Sequence, residues 1–285
     1  MTSVLILGAG GQTGREVARQ ITQHRQGVEI LGTSRDPATI QNPNIVVLAF
    51  DWEDRDTWPA VAATNPDAVY LVRPDQLHDA PERISAFLEQ LGEVSRVVLL
   101  SGHDNHEVPE DSWGARVERA VQDGPSPWTV VRPGPFMDLL VDESYLLPAI
   151  RERSAIELPM GPAGMGLIDV RDIAEVIVAA LLGDGHTGQL YHLTGQEAPT
   201  LNEVAARMST ALGRTIEYVD PGSEATIASW GSRIAPWRAE RLAEVMEWAR
   251  EGSHATVTND VEKVTGHPPR SLDAFIEENL DRWRP

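Results

Sequence analysis

Apolar residues follow two alternating rhythms along the first half of the chain. Val4–Leu7, Val28–Gly32, Ile45–Phe50, Ala68–Val72, Arg96–Leu100 and Trp128–Val131 are short, dense apolar runs, the pattern of strands buried on both faces. Thr13–His24, Arg55–Ala63, Pro81–Leu91 and Trp113–Gln122 lie between them and space their apolar residues as helices do. In Pro81–Leu91, for example, Ile84, Phe87, Leu88 and Leu91 share one face. Repeated βα units of this kind predict an α/β fold with a doubly wound parallel sheet.

Beyond about residue 135 the rhythm loosens. Met137–Glu152 reads as a helix broken at Pro148, Val170–Leu182 as a strong helix and Gln189–Leu193 as a strand. Thr200 is placed to cap a helix running to Leu212, with Glu203 in capping-box position. Arg238–Arg250 and Leu272–Trp283 read as helices. The division expected is a nucleotide-binding domain over 1–150 and a smaller C-terminal substrate lobe over 151–285, with 167–195 returning to the sheet.

Composition narrows the function classes. The formal charge of -19 repels nucleic acid and anionic membranes. It is read first as solubility, with steering of a cationic substrate as the alternative. No apolar run reaches the roughly 20 residues that span a bilayer. A strand begins after two residues, which is read as leaving no signal peptide. The absence of cysteine removes disulfides, thiolate metal ligands and a cysteine nucleophile. The chain is expected to be cytoplasmic and to act on a small molecule, with a homodimer as the one assembly considered.

The chemistry starts at Gly8-Ala9-Gly10-Gly11-Gln12-Thr13-Gly14, between a strand and a helix. There glycine permits a sharp turn and a close backbone approach to a diphosphate, while the helix start offers N–H groups to the anion. Gly8, Gly10, Gly11, Gln12, Thr13 and Gly14 are therefore expected to bind a dinucleotide. The second strand ends in Thr33-Ser34-Arg35, where an NAD site usually places an acid. Ser34 and Arg35 instead suit a 2′-phosphate, so the expected cofactor is NADP(H). Asp36, before Pro37, is read as a turn or cap residue. Asp51 and Trp52, after the third strand, are placed to meet the adenine, with a strand-end cap as the other reading of Asp51.

Further residues carry a resemblance. The glycine spacing, Val97-Val-Leu-Leu-Ser101, Trp128-Thr-Val-Val-Arg-Pro-Gly-Pro-Phe-Met137 and Asp169-Val-Arg-Asp-Ile-Ala174 resemble the NmrA-like, atypical short-chain dehydrogenase/reductases. The segments 68–74, 203–205, 211–214 and 264–275 resemble the branch of the festuclavine dehydrogenase-type ergot alkaloid reductases. The resemblance spans essentially the whole chain. It implies a Rossmann fold, NADP(H), and reduction of a C=N, C=C or C=O bond in a secondary metabolite. It also sets Glu118 at the position of a glutamate usual in the family. The sequence departs from the wider group in lacking a Tyr-x-x-x-Lys pair: its tyrosines are Tyr70, Tyr145, Tyr191 and Tyr218, and its sole lysine is Lys263. Arg73 stands where relatives usually carry a small or apolar residue, and Asp138-Leu139 where they often carry an acid and Asn.

Ligands of such sheets bind beyond the carboxyl ends of the strands. Val72, Arg73 and Pro74, Ser101, and Pro133, Gly134 and Phe136 are therefore expected around the nicotinamide. Ser101 and His103 are the candidate proton donors for a carbonyl substrate. A cationic acceptor such as an iminium needs none. His103, Met137, Trp230 and Trp237 are the candidate pocket residues for a flat substrate. The polar run His103-Asp104-Asn105-His106-Glu107 matches no rigid ligand spacing, so no metal is expected. Three readings stay open: an NADPH-dependent reductase, a non-catalytic NADP(H)-sensing regulator, and a redox-neutral isomerase or cyclase.

Overall fold

The structure is a computed structural model, and it describes residues 2–102, 111–230 and 235–284. In chain order the first elements are β1 (Thr2–Leu7), α1 (Gln12–His24), β2 (Val28–Ser34), β3 (Ile45–Ala49), α2 (Trp58–Ala62), β4 (Ala68–Val72), α3 (Ala80–Leu91), β5 (Arg96–Leu100), α4 (Trp113–Gln122) and β6 (Trp128–Pro133). There follow α5 (Leu147–Arg153), β7 (Ala155–Glu157), α6 (Val170–Leu182), β8 (Gln189–Leu193), α7 (Leu201–Leu212), β9 (Glu217–Val219), α8 (Ser223–Trp230), α9 (Pro236–Arg250), α10 (Asp260–Thr265) and α11 (Leu272–Asn279).

The chain divides into two compact units. The first holds Met1–Pro133 and Val170–His192, and the second Gly134–Asp169 and Leu193–Pro285. The boundary expected at residue 150 thus falls inside the second unit. The chain changes unit at Pro133 because the segment after it, with Met137, Leu140, Val141, Leu146 and Leu147, buries its side chains in the second unit's core.

The first unit carries a seven-stranded sheet in the order β3-β2-β1-β4-β5-β6-β8. The pairs from β3 through to β6 are all parallel. The order reverses direction at β1, the switch point where doubly wound sheets open a crevice at their carboxyl ends. Side chains alternate across the sheet. Leu5 and Leu7, Val69 and Leu71, and Val97 and Leu99 face one apolar cluster with Ile84, Phe87 and Leu88 of α3 and Val117 of α4. Burying each such α3 side chain contributes about 1.5–3 kcal/mol. On the other face α1 and α6 pack against each other.

The region expected as one helix over Arg55–Ala63 is a 3-10 turn, Arg55–Thr57, followed by α2. The Asp54 carboxylate caps the turn by accepting from Asp56 N, and Pro59 fits only the first turn of the helix that follows.

In the second unit, Met137–Glu152 likewise resolves into a 3-10 turn, Met137–Val141, and α5, with Pro148 at the start of the helix. Between them the Asp142 carboxylate accepts from Ser144 N at 2.8 Å and closes a separate turn. Thr200 and Glu203 form the expected capping box at the start of α7. The tail helix stops at Asn279 and continues as a 3-10 turn, Leu280–Trp283. Trp283 is fully buried, and its indole N–H donates to Leu140 O at 2.7 Å. The short strands β7 and β9 pair in parallel, with Ile156 opposite Tyr218. No helix among the described residues is long and apolar enough to cross a membrane.

Candidate active site

The glycine turn is shaped by two close approaches. Gly8 has φ +92°, a left-handed backbone that disfavours side chains. A Cβ on Gly14 would lie 2.3 Å from Gly8 O, so α1 can start only if that position is bare. A Cβ on Gly10 would touch only Ile40, at 3.8 Å, so glycine there keeps the surface clear and relieves no clash. The turn is also latched from its neighbours. Gly8 N donates to Thr33 Oγ1 at 3.1 Å and Ala9 N to Thr33 O at 3.1 Å, tying it to the end of β2. Tyr70, on β4, donates its phenol hydrogen to Thr13 Oγ1 at 2.8 Å. Burial pushes the Tyr70 phenol far above its ordinary range, partly offset by that hydrogen bond, so it is a neutral donor. Gly11 caps α1 with no side-chain acceptor and the first turn holds no acid, so the positive helix end carries no counter-charge of its own.

A cleft of about 440 Å³ opens beside the turn. Gly8, Gly10, Gly11, Ser34, Arg35, Asp51, Trp52, Val72, Arg73 and Pro74, all expected at a cofactor site, line it together. Gln12 is exposed at the helix start, while Thr13 and Gly14 turn inward. Arg35 is exposed and pairs with no described residue. Asp36 is spent as a cap: its carboxylate accepts from Ala38 N at 3.1 Å. The Ser34 hydroxyl donates to Asp36 O at 2.9 Å, which stiffens the loop that carries Arg35. Asp51 Oδ1 accepts from Glu53 N at 2.9 Å and so caps its own turn while lining the cleft. Trp52 stands edge-on to Phe50, Trp58 and Phe87, an aromatic cluster that fixes this wall. Arg73 is held down by Asp75, with Nε to Oδ1 at 2.6 Å, and lies 5.3 Å over the Trp113 ring.

At the tips of β5 and β6 the structure assembles a set that the sequence only half disclosed. The Ser101 hydroxyl donates to Glu118 Oε1 at 2.6 Å. Arg132 forks onto the same carboxylate, Nε to Oε1 at 2.8 Å and Nη2 to Oε2 at 2.5 Å. The hydrogen of Ser101, expected to serve a substrate, thus goes to Glu118. Pro133 ends β6, whereas Gly134, Phe136 and Met137 belong to the second unit. There Gly134 N donates to Leu193 O at 2.7 Å, and Phe136 bridges Ile168. Met137, expected to face a substrate, is 1% exposed in that unit's core because it opens the same turn that buries Leu140 and Val141. Trp230 ends α8, and Trp237 lies half-buried on α9. His103 and the rest of the 103–107 run lie outside the described residues.

Two contributors went unnoticed in the sequence, Tyr70 and Arg132. Each had a signal: a phenol inside an apolar strand needs a partner, and an arginine inside a buried strand needs an acid.

Residues 1–272 match the NmrA-like family. The chain belongs to that family. It is 32% identical over 286 residues, 99% of both chains, to the (4-alkanoyl-5-oxo-2,5-dihydrofuran-3-yl)methyl phosphate reductase of Streptomyces griseus. It is 27% identical to the festuclavine dehydrogenase of Aspergillus fumigatus, again over 99% of both. Among solved structures, the NADPH-dependent quinone oxidoreductase of Escherichia coli in complex with NADPH superposes with a TM-score of 0.80. That match covers 96% of this chain and 99% of the other at 21% identity, and it shows the Rossmann-type fold.

Proposed function

We propose that this protein is an NADPH-dependent reductase of a small, electron-poor metabolite. The observation that carries the cofactor is Arg35: an exposed guanidinium with no described partner, on a stiffened loop at the cleft, beside an aspartate already spent as a cap. A 2′-phosphate is the anion such a fork receives. The residues present fit the rest of the dinucleotide. The bare surface at Gly10 and the uncapped start of α1 suit a diphosphate, and Asp51 and Trp52 suit an adenine. Val72 and Pro74 form an apolar wall towards the tip of β4.

NADPH, when bound, supplies the hydride. The protein's part is to orient the ring and exclude water, and no Tyr–Lys pair stands ready to protonate an alkoxide. With the hydrogen of Ser101 given to Glu118, the arrangement favours C=N and activated C=C acceptors over plain ketones. The similarity to the (4-alkanoyl-5-oxo-2,5-dihydrofuran-3-yl)methyl phosphate reductase and to festuclavine dehydrogenase supports a small-molecule substrate for the reduction.

The test is loss of NADPH absorbance against a panel of iminium, quinone and enone compounds. Turnover with at least one, and with NADPH preferred to NADH, is the expected result. Tight NADPH binding with no turnover on any compound would overturn catalysis and leave the sensor reading in its place.

A further inference from the structure

Ser101, Glu118 and Arg132 come from three separate elements and meet in a buried set. The Glu118 side chain is 4% exposed and Ser101 is 7% exposed. The fork of Arg132 places a guanidinium N–H on each carboxylate oxygen. Bidentate, charge-assisted pairing keeps Glu118 ionised. An ionised carboxylate only accepts, so the hydrogen in the 2.6 Å contact between Ser101 and Glu118 belongs to the serine. A hydroxyl has one hydrogen and two acceptor lone pairs. With that hydrogen given away, any other group that meets Ser101 Oγ has to donate. Reversing the hydroxyl would set its oxygen lone pairs against the carboxylate at 2.6 Å and cost Glu118 Oε1 one of its two donors, leaving only Arg132 Nε.

We infer that Ser101 is a fixed hydrogen-bond acceptor for the carboxamide N–H of the nicotinamide, and that Glu118 and Arg132 are the residues that fix its polarity. The inference rests on the reductase reading. Ser101 follows β5, whose neighbour β4 ends in the cleft wall Val72-Arg73-Pro74, and Arg73 N donates to Leu100 O at 3.2 Å across the two tips. The cofactor carries two N–H donor groups, the adenine amine and the carboxamide. Asp51 and Trp52 line the cleft after β3 and Val72, Arg73 and Pro74 line it after β4, so an adenine at the first pair leaves the carboxamide for the β4 tip, to which β5 is the next strand. An acceptor there sets the rotation of the carboxamide and, through it, the seating of the ring that gives up hydride. Ser101 therefore orients the cofactor and does not protonate the product, the opposite polarity to a general acid.

The test compares dissociation constants, read by tryptophan fluorescence, for NADP+, its 3-acetylpyridine analogue and 2′-phospho-ADP-ribose. The analogue replaces the carboxamide NH2 by methyl, and the last compound lacks the ring altogether. Wild type is expected to bind NADP+ about tenfold more tightly than the analogue, the worth of one good hydrogen bond. Ser101→Ala is expected to bind the two alike. Glu118→Gln can donate an amide N–H to Ser101 and release its hydrogen, so the preference for NADP+ is expected to vanish or invert there. A purely structural Glu118 would leave the preference intact in every folded variant. Undiminished discrimination in Ser101→Ala, or none in wild type, overturns the inference, and neither result needs the Glu118 variant to fold. Failure of wild type to bind both NADP+ and 2′-phospho-ADP-ribose would overturn the cofactor reading itself.

Discussion

Arg35 and Arg73 line the same cleft and are built in opposite ways. Arg35 stands exposed at the end of β2 with no described partner. The Arg73 side chain is 9% exposed, paired to Asp75 and laid over Trp113. Beyond Arg73, Arg132 is matched in the same manner by Glu118. An unspent cation adds nothing to the fold and keeps its charge for a ligand. A neutralised one is part of the fold and offers a ligand shape and direction only. On the proposed function, anion capture falls to the β2 end of the sheet and uncharged positioning to the β4–β6 end.

Three substitutions probe that contrast. Glu118→Ala leaves the Arg132 charge buried and uncompensated, and chemical denaturation is expected to show a loss of about 3–5 kcal/mol. A loss no larger than a surface change gives would break the claim that charge at this end serves the fold. Arg35→Ala is expected to weaken NADPH binding by about 1.5–3 kcal/mol, a charge-assisted bond's worth, with stability unchanged within about 0.5 kcal/mol. Titration with NADH is the control: an equal loss for NADH would remove the 2′-phosphate from the account. Tyr70→Phe takes one neutral hydrogen bond from Thr13 and is expected to cost about 1 kcal/mol in a thermal melt. NADPH affinity should fall with it only as far as the glycine turn loosens. An unchanged melting temperature would show that the turn is held by Gly14 and Thr33 alone.

Much of the first unit was legible because its order is local. Ala68–Val72 and Arg96–Leu100 have the bounds that their apolar runs announce, since a strand covered on both faces must be apolar throughout. Thr200 and Glu203 declare a helix start three residues apart. The shape of the glycine turn and the place of Arg35 beside it were legible for the same reason, because backbone geometry and strand-end position are written in consecutive residues. β7 and β9 were not: three residues each, they are strands only because Ala155–Glu157 finds Glu217–Val219 some sixty residues away. The Ser101 set falls between these cases. Ser101 and Glu118 could be singled out, but the direction of the hydroxyl depends on Arg132, and no spacing joins α4 to β6.

The crossings of the chain between units bear on how the protein is made. All seven strands of the first sheet have been synthesised once Leu193 has emerged. The second unit is begun at Gly134, yet its core includes Leu272, Phe275 and Trp283, and the indole of Trp283 reaches back 143 residues to Leu140. On the ribosome the core begun at Met137, Leu140 and Leu147 is extended by Leu201, Val204 and Met208 of α7, but it is completed only when almost the last residues arrive. A premature stop between β8 and α11 would release a chain that holds all seven strands but lacks Leu272, Phe275 and Trp283 from the second unit's core, a ready target for chaperones and proteases.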